Sequence, residues 1–228
     1  IEESLKSNVK NFIFSSSATV YGDPKELPIN EKHELAPINP YGQNKVEVEK
    51  ILEYYWKKYK FSSVSLRYFN PIGAHNTGLL GEFPSEKPNN LLPYICKVAN
   101  KELSHLEVFG DDFQTKDGTG IRDYIHIEDL VNGHLKALEY IKKNEGFIVA
   151  NLGTGQGYSV FEIIKTFEKV NNVKLRFKVV ERRPGDSSEV YADARLAKNL
   201  FSWKPKKNLD DMLKDSWKWQ VNIKNILK

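Results

Sequence analysis

The chain has 228 residues, 40% of them hydrophobic, with a formal net charge of +4, and no apolar stretch approaches the roughly 20 residues that would span a bilayer. Lysine and arginine alternate with aspartate and glutamate along the whole length, so neither a nucleic-acid stripe nor a polybasic membrane anchor stands out, while a small anionic ligand stays compatible. A lone Cys96 and five scattered histidines offer no disulfide framework, no HExxH and no Cys/His cluster, which argues against a metal site and for a cytoplasmic protein.

Ile1–Val9 reads as the tail of a helix, and with Met212 as the only methionine the chain is taken as a C-terminal piece of a longer protein. Val9–Ser15 (VKNFIFS) and Ser63–Phe69 (SVSLRYF) are short runs rich in branched and aromatic residues, the composition of buried strands. Between them Tyr41–Tyr59 has helical spacing: Val48, Leu52, Tyr55 and Tyr59 extend a stripe begun by Tyr41 and Lys45, with Glu47, Glu49, Lys50, Lys57 and Lys58 off it. Strand, helix and strand in this order predict a parallel pair joined by a crossover helix. The loop Gly22–Pro40 is long for such a unit, and long loops in compact domains often carry function. After Asn70-Pro71-Ile72-Gly73 the chain is turn-rich to Asn90. It then offers a helix (Leu91–Val98), a strand (His105–Phe109), a turn cluster (Gly110–Gly120) and a helix (Glu128–Lys142). Phe147–Leu152 reads as a strand, Ser159–Val170 as a helix capped by Ser159, Lys174–Val180 as a strand and Asp210–Ile226 as an amphipathic helix.

Two features carry chemistry. Tyr-x-x-x-Lys places a phenol and an ammonium one helical turn apart on one face, and it occurs at Tyr21–Lys25, Tyr41–Lys45 and Tyr54–Lys58. Gly22 and Pro24 spoil a helix at the first, and the third lies deep inside the helix, away from any loop. Tyr41 follows Asn39-Pro40, a helix-start signal that sets its hydroxyl near the positive end of the helix dipole. A tyrosine acting as a base near neutral pH must lose about three units from its usual value near 10, roughly 4 kcal/mol. One lysine about 4 Å away at an effective dielectric near 20 supplies about that much, and a cationic nicotinamide would add to it. The alternative is a buried structural Tyr/Lys pair. The second feature is the triplet Ser15-Ser16-Ser17 at a strand end, where open parallel sheets form ligand crevices, although serine clusters also bond to nearby backbone in turns. Together, a serine triplet, a loop and a helix opening on Tyr-x-x-x-Lys resemble the extended short-chain dehydrogenase/reductase superfamily, in which a strand-end Ser, a Tyr and a Lys act with a nicotinamide cofactor.

The strings SSSATVYGD, PYGQNK, LRYFNPIGAH, NNLLPYI, DGTGIRDYIHIEDL, NLGTGQGYSV and RRPGD…YAD occur in the order of the UDP-glucose 4-epimerase family, which the chain resembles over nearly its whole length. By that resemblance Ser17, Tyr41 and Lys45 match the catalytic residues and cofactor contacts, and Phe69 matches a residue near the cofactor. Asn70, Asn90, Leu91, Val108, Phe109, Arg122, Arg183 and Asp186 match positions lining the nucleotide-sugar site. Arg122 and Arg183 suit forked hydrogen bonds to a diphosphate and Asp186 can accept from two ribose hydroxyls, against the alternative of surface ion pairs. Val190 matches a position where the family varies between tyrosine and smaller residues, so room for an N-acetyl group is expected. His126, Glu128 and Asp129 are read as helix entry and packing.

The resemblance implies an α/β fold: the C-terminal portion of a doubly wound Rossmann-like parallel sheet plus a smaller α/β substrate-binding domain. Residues 1–73 would be the remainder of the NAD-binding domain and 74–228 mainly the UDP-sugar domain, with parts of 118–155 returning to the first. Gly153-Thr154-Gly155-Gln156-Gly157 lacks the last glycine of GxGxxG, since Tyr158 and Val160 stand where it would fall, and reads as a tight turn. The implied activity is NAD-dependent epimerisation at C4 of UDP-galactose and UDP-glucose through a 4-keto sugar, with UDP-N-acetylglucosamine and UDP-N-acetylgalactosamine as further substrates. A homodimer through the Tyr41–Tyr59 helix is expected, with no metal. Two alternatives stand beside it. A 4,6-dehydratase would need Asp and Glu where Ala18 and Thr19 stand, and the isolated chain could be an inactive piece that at most binds UDP.

Overall fold

Short apolar runs and amphipathic segments become alternating strands and helices in the computed structural model, which describes residues 1–84 and 88–226. The chain enters through α1 (Glu2–Lys6) and β1 (Asn11–Ser17), turns in a 3-10 helix (Ala18–Tyr21), and after a long loop forms α2 (Pro40–Tyr59), β2 (Ser62–Tyr68) and β3 (Asn70–Ile72). There follow α3 (Leu91–Ala99), β4 (Leu106–Phe109), β5 (Ile121–His126), α4 (Ile127–Ile141), β6 (Phe147–Leu152) and β7 (Gly157–Ser159). The last elements are α5 (Val160–Asn171), β8 (Phe177–Val180), β9 (Glu189–Val190), α6 (Arg195–Phe201) and α7 (Leu209–Ile226). No helix among the described residues is long and apolar enough to cross a membrane.

These elements form two compact units. The first is Ile1–Phe69 with Leu130–Gly155 and Val190–Pro205; the second is Asn70–Asp129 with Gln156–Glu189 and Lys206–Lys228. The division falls after Phe69, where the sequence reading set it after Gly73. Val190–Pro205, read from sequence as part of the sugar domain, groups with the first unit because Ile29 ties the Gly22–Pro40 loop to it. Ile29 N donates to Tyr191 O (2.9 Å) and Ile29 O accepts from Asp193 N (2.7 Å).

In the first unit β1, β2 and β6 form a parallel sheet in that order, with Ser17 opposite Tyr68 and Tyr68 opposite Leu152. The central strand β2 is covered on both faces and is buried from Ser62 through Arg67, as parallel strands in α/β folds are. Asn39 caps α2, its side chain accepting from Gly42 N at 2.8 Å, with Pro40 in the first turn. A Cβ at Gly42 would lie 2.7 Å from Thr19 O, so only glycine lets the helix start press against the 3-10 turn. The inward face of α2 is Gly42, Val46, Glu49 and Leu52, whereas Tyr41, Tyr54 and Tyr59 are about half exposed. Of the expected stripe through Tyr41, Lys45, Val48, Leu52, Tyr55 and Tyr59, Leu52 faces inward, and the rest is corrected by a rotation of the helix. Glu49, which the spacing sets off the stripe, is buried with a partner in Arg67.

In the second unit β3 runs parallel to β5, β5 antiparallel to β7, and β4 parallel to β8. Leu92 and Ile95 of α3, Leu106 of β4, Ile163 and Phe167 of α5, and Met212 and Leu213 of α7 share one core. Ser159 caps α5 in a capping box with Glu162. β3, β5, β7, β9 and α6 are additions to the sequence reading. β5 escapes a hydropathy scan because IRDYIH buries Asp123 and His126 among its apolar residues.

Candidate active site

The sequence-derived candidates separate into two groups, one in each unit. In the first, Ser17 ends β1 and caps the 3-10 turn: its Oγ accepts from Thr19 N (3.3 Å) and Thr19 Oγ1 (3.0 Å), and the residue is 8% exposed. Lys45 Nζ donates to Ser15 O at 2.8 Å and lies 5.1 Å from the centroid of the Tyr41 ring and 5.0 Å from that of Phe14. Tyr41 itself, in the first turn of α2, is 51% exposed. An ammonium has three donors, so Lys45 can serve a ligand while holding the strand. Phe69 is buried against Val20, Tyr21, Ile29, Val46 and Ala192, and Val190 packs partly buried on the same cluster.

The other two serines of the triplet have side-chain partners. Ser15 Oγ lies 3.1 Å from Nε2 of His134, whose Nδ1 is 2.9 Å from Leu130 O. Ser16 Oγ donates to Glu49 Oε1 at 2.5 Å. Glu49 in turn takes both arms of Arg67, Nε at 3.0 Å and Nη2 at 2.5 Å. Arg67 Nη1 donates to the Tyr21 hydroxyl (3.1 Å), which donates to Asn151 Oδ1 (2.6 Å). Burial opposes the Arg67 charge, but Glu49 and Tyr21 outweigh it and its pKa is raised. Burial also pushes the Tyr21 hydroxyl up to about 12, which keeps it a neutral donor. Sequence reasoning missed this network. Its one legible trace is Arg67 inside an otherwise apolar strand run, because an arginine there needs a carboxylate partner.

In the second unit a cleft of about 210 Å³ is lined by Asn70, Asn90, Leu91, Val108, Phe109, Arg122, Arg183 and Asp186 together. Tyr124, Phe113 and Gly120, which sequence reasoning did not single out, line it too. The Arg183 guanidinium stacks 3.8 Å over the Phe109 ring, with Nη1 at 3.4 Å from Asn89 O. Arg122 Nη1 donates to Ile121 O at 2.9 Å, and its Nη2 stands 3.9 Å from Asp186 Oδ1, beyond a direct hydrogen bond. These guanidiniums keep most of their donors for an anion, and the mixed charged and aromatic lining suits a nucleotide. His126, by contrast, lies in packing: Nδ1 accepts from Glu128 N (3.0 Å) and Nε2 faces Asp215 (3.2 Å). Gly155 turns the chain with φ +75°, and Gly157 opens β7.

Comparison with known proteins gives one family. Residues 1–153 match the NAD dependent epimerase/dehydratase family. The UDP-glucose 4-epimerase of Pasteurella multocida is 53% identical over 222 residues, 96% of this chain and 66% of that protein, so the chain spans just under two thirds of that relative's length. Among solved structures, the UDP-glucose 4-epimerase of Stenotrophomonas maltophila with bound NAD and formylated UDP-arabinopyranose superposes with a TM-score of 0.96 at 43% identity, over 98% of this chain and 67% of that one. The UDP-glucose 4-epimerase of Bifidobacterium longum in complex with NAD+ and UDP gives 0.93 at 48% identity, over 99% and 68%.

Proposed function

The chain belongs to the NAD dependent epimerase/dehydratase family, and from that premise we propose that its protein is an NAD-dependent UDP-glucose 4-epimerase, interconverting UDP-galactose and UDP-glucose. The observation that carries the reading is the single cleft lined by both arginines, Asp186 and Phe109. It has cations for a diphosphate, a carboxylate for ribose hydroxyls and an aromatic wall for a base.

The residues of the first unit fit the nicotinamide ribose. Lys45 uses one donor on Ser15 O, has two more for ribose hydroxyls, and stands beside a half-exposed Tyr41. When bound, NAD would supply reversible hydride chemistry at the sugar C4. Tyr41 is the base that takes the proton of the 4-hydroxyl and gives it back after the 4-keto sugar has turned over. Lys45, with Nζ 5.1 Å from the centroid of the Tyr41 ring, sets a positive charge beside it. Ser17 Oγ accepts from Thr19 and so keeps its own proton to donate to the reacting oxygen. Arg122, Arg183 and Asp186 hold the UDP moiety, with Asn70, Asn90, Leu91, Val108 and Phe109 around it, and a firm hold on the nucleotide leaves the hexose free to rotate.

Three further assignments complete the proposal. The protein works as a homodimer through the outward face of α2, where Tyr54 and Tyr59 are about half exposed. It resides in the cytoplasm. Val190 in place of a bulkier side chain admits an N-acetyl group, so UDP-N-acetylglucosamine and UDP-N-acetylgalactosamine are also interconverted; activity on UDP-glucose with none on either N-acetyl sugar contradicts that assignment. The test of the main reading takes the protein expressed from its complete reading frame, mixes it with UDP-galactose and NAD, and resolves the nucleotide sugars. UDP-glucose appearing without net NADH supports the assignment, and unchanged UDP-galactose removes it.

A further inference from the structure

We infer that Glu49 is a positioning residue for Ser17, acting through the middle serine of the triplet. This rests on the reading of Ser17 and Tyr41 as the reacting pair. Glu49 sits on the inward face of α2, two helical turns beyond Tyr41 and one beyond Lys45, so one rigid helix carries the proposed base, its lysine and this carboxylate. Its Oε1 receives Ser16 Oγ at 2.5 Å, and the adjacent Ser17 ends β1 and caps the turn that follows. Both Glu49 oxygens are fixed by Arg67 near the end of β2. Arg67 passes the constraint through Tyr21, the last residue of that turn, to Asn151 near the end of β6. Asn151 N donates to Glu31 Oε1 (2.8 Å) and Asn151 Nδ2 to Ile29 O (2.9 Å), which extends the network into the Gly22–Pro40 loop.

The geometry makes this more than a buried ion pair. Ser16, Glu49, Arg67, Tyr21 and Asn151 are all at most 4% exposed, and a fully partnered polar network in a low-dielectric interior fixes one arrangement of its members. The carboxyl-terminal segments of all three strands are linked through it, and ligand crevices of parallel sheets lie at those ends. Ser17 has only the neighbouring Thr19 as a side-chain partner among the described interactions, so its own side-chain contacts do not set its position relative to α2. Two neighbouring bonds tie the strand end to that helix, Lys45 Nζ to Ser15 O and Ser16 Oγ to Glu49 Oε1, and the second is the one adjacent to Ser17.

The test uses Ser16→Ala, which removes that single link and leaves the Glu49–Arg67 pair intact, in the protein expressed from its complete reading frame. Amide hydrogen exchange is expected to quicken about tenfold at Thr19 and Gly22, whose amides close the turn, while Val64 and Leu66 in β2 keep their protection. On UDP-galactose, kcat is expected to fall roughly tenfold with KM unchanged. In a Ser17→Ala background the same substitution should cost less than about twofold, since coupled residues are not additive. A merely structural role predicts equal factors in both backgrounds and exchange quickened throughout the sheet, and that result overturns the inference. So do unchanged kcat and unchanged exchange. If the unsubstituted protein does not epimerise UDP-galactose, the functional reading fails while the exchange comparison still decides the positioning role. Glu49→Gln, if it folds, should reproduce the exchange pattern more strongly.

Discussion

The two groups of candidate residues are held in opposite ways. Around Ser17 the polar groups are buried and fully engaged: Glu49 accepts from Ser16 and from two nitrogens of Arg67, and Tyr21 links Arg67 to Asn151. Around the cleft of the second unit the charged groups are exposed or half-buried and loosely engaged, with Arg122 and Asp186 3.9 Å apart and Arg183 resting on an aromatic face. A proton transfer needs its donor and acceptor fixed within a few tenths of an ångström, whereas binding an anion needs donors that are free to turn toward it. The lesson is that rigid and adaptable chemistry can be recognised from how completely the polar side chains are already partnered.

Substitutions can break this contrast in order of size. Tyr41→Phe deletes the proposed base and should lower kcat by about 10²–10⁴-fold, measured by conversion of UDP-galactose, with UDP affinity in calorimetry nearly unchanged. An equal loss of UDP binding would erase the distinction between the two groups. Arg67→Met leaves Glu49 buried without its cation and should cost about 3–5 kcal/mol in denaturant unfolding, because both side chains are at most 5% exposed. Arg183→Ala should weaken UDP binding by roughly 10–100-fold while leaving unfolding free energy within about 0.5 kcal/mol, as expected for an exposed arginine with the proposed role of holding a charged ligand.

The smallest effect sharpens the comparison by pH. His126 is held below its ordinary value of 6.5, first by burial and then by Lys207, against Glu128 and Asp215. The unfolded chain therefore takes up the proton more readily than the folded one. The contribution of His126 is fully present above pH 6.5 and is lost as pH falls below it toward the depressed folded value. His126→Gln should flatten the dependence of Tm between pH 7 and pH 5, and an unaltered slope would remove His126 from the account.

Much of this was legible in the sequence, for a physical reason. Asn39-Pro40 before Tyr41 and Ser159 before α5 are local signals, and both caps form as read. The strings around Arg122, Arg183 and Asp186 were legible as a resemblance, and these residues line one cleft although 61 positions separate Arg122 from Arg183. What stayed hidden is long-range pairing of charges. Glu49 reads from its spacing as lying off the apolar stripe of the helix, and only its partner 18 positions away shows why it is buried. Likewise β5 carries Asp123 and His126 in its interior, so its strand period was masked by polar residues whose burial depends on other elements. The serine triplet is plain in the sequence, but its members divide their partners among His134, Glu49 and Thr19 in a way that sequence order does not encode.

The most direct test of the central claim follows the hydrogen at C4. The protein expressed from its complete reading frame is given UDP-galactose carrying deuterium at C4, together with NAD in ordinary water, and the UDP-glucose formed is analysed by mass spectrometry and proton NMR. Retention of the deuterium at C4 is the predicted result, because in the proposed mechanism the hydrogen leaves as hydride and returns to the same carbon while Tyr41 handles only the hydroxyl proton. Replacement of the deuterium by solvent hydrogen would contradict the account, since C4 would then have lost a proton to a side chain in exchange with water.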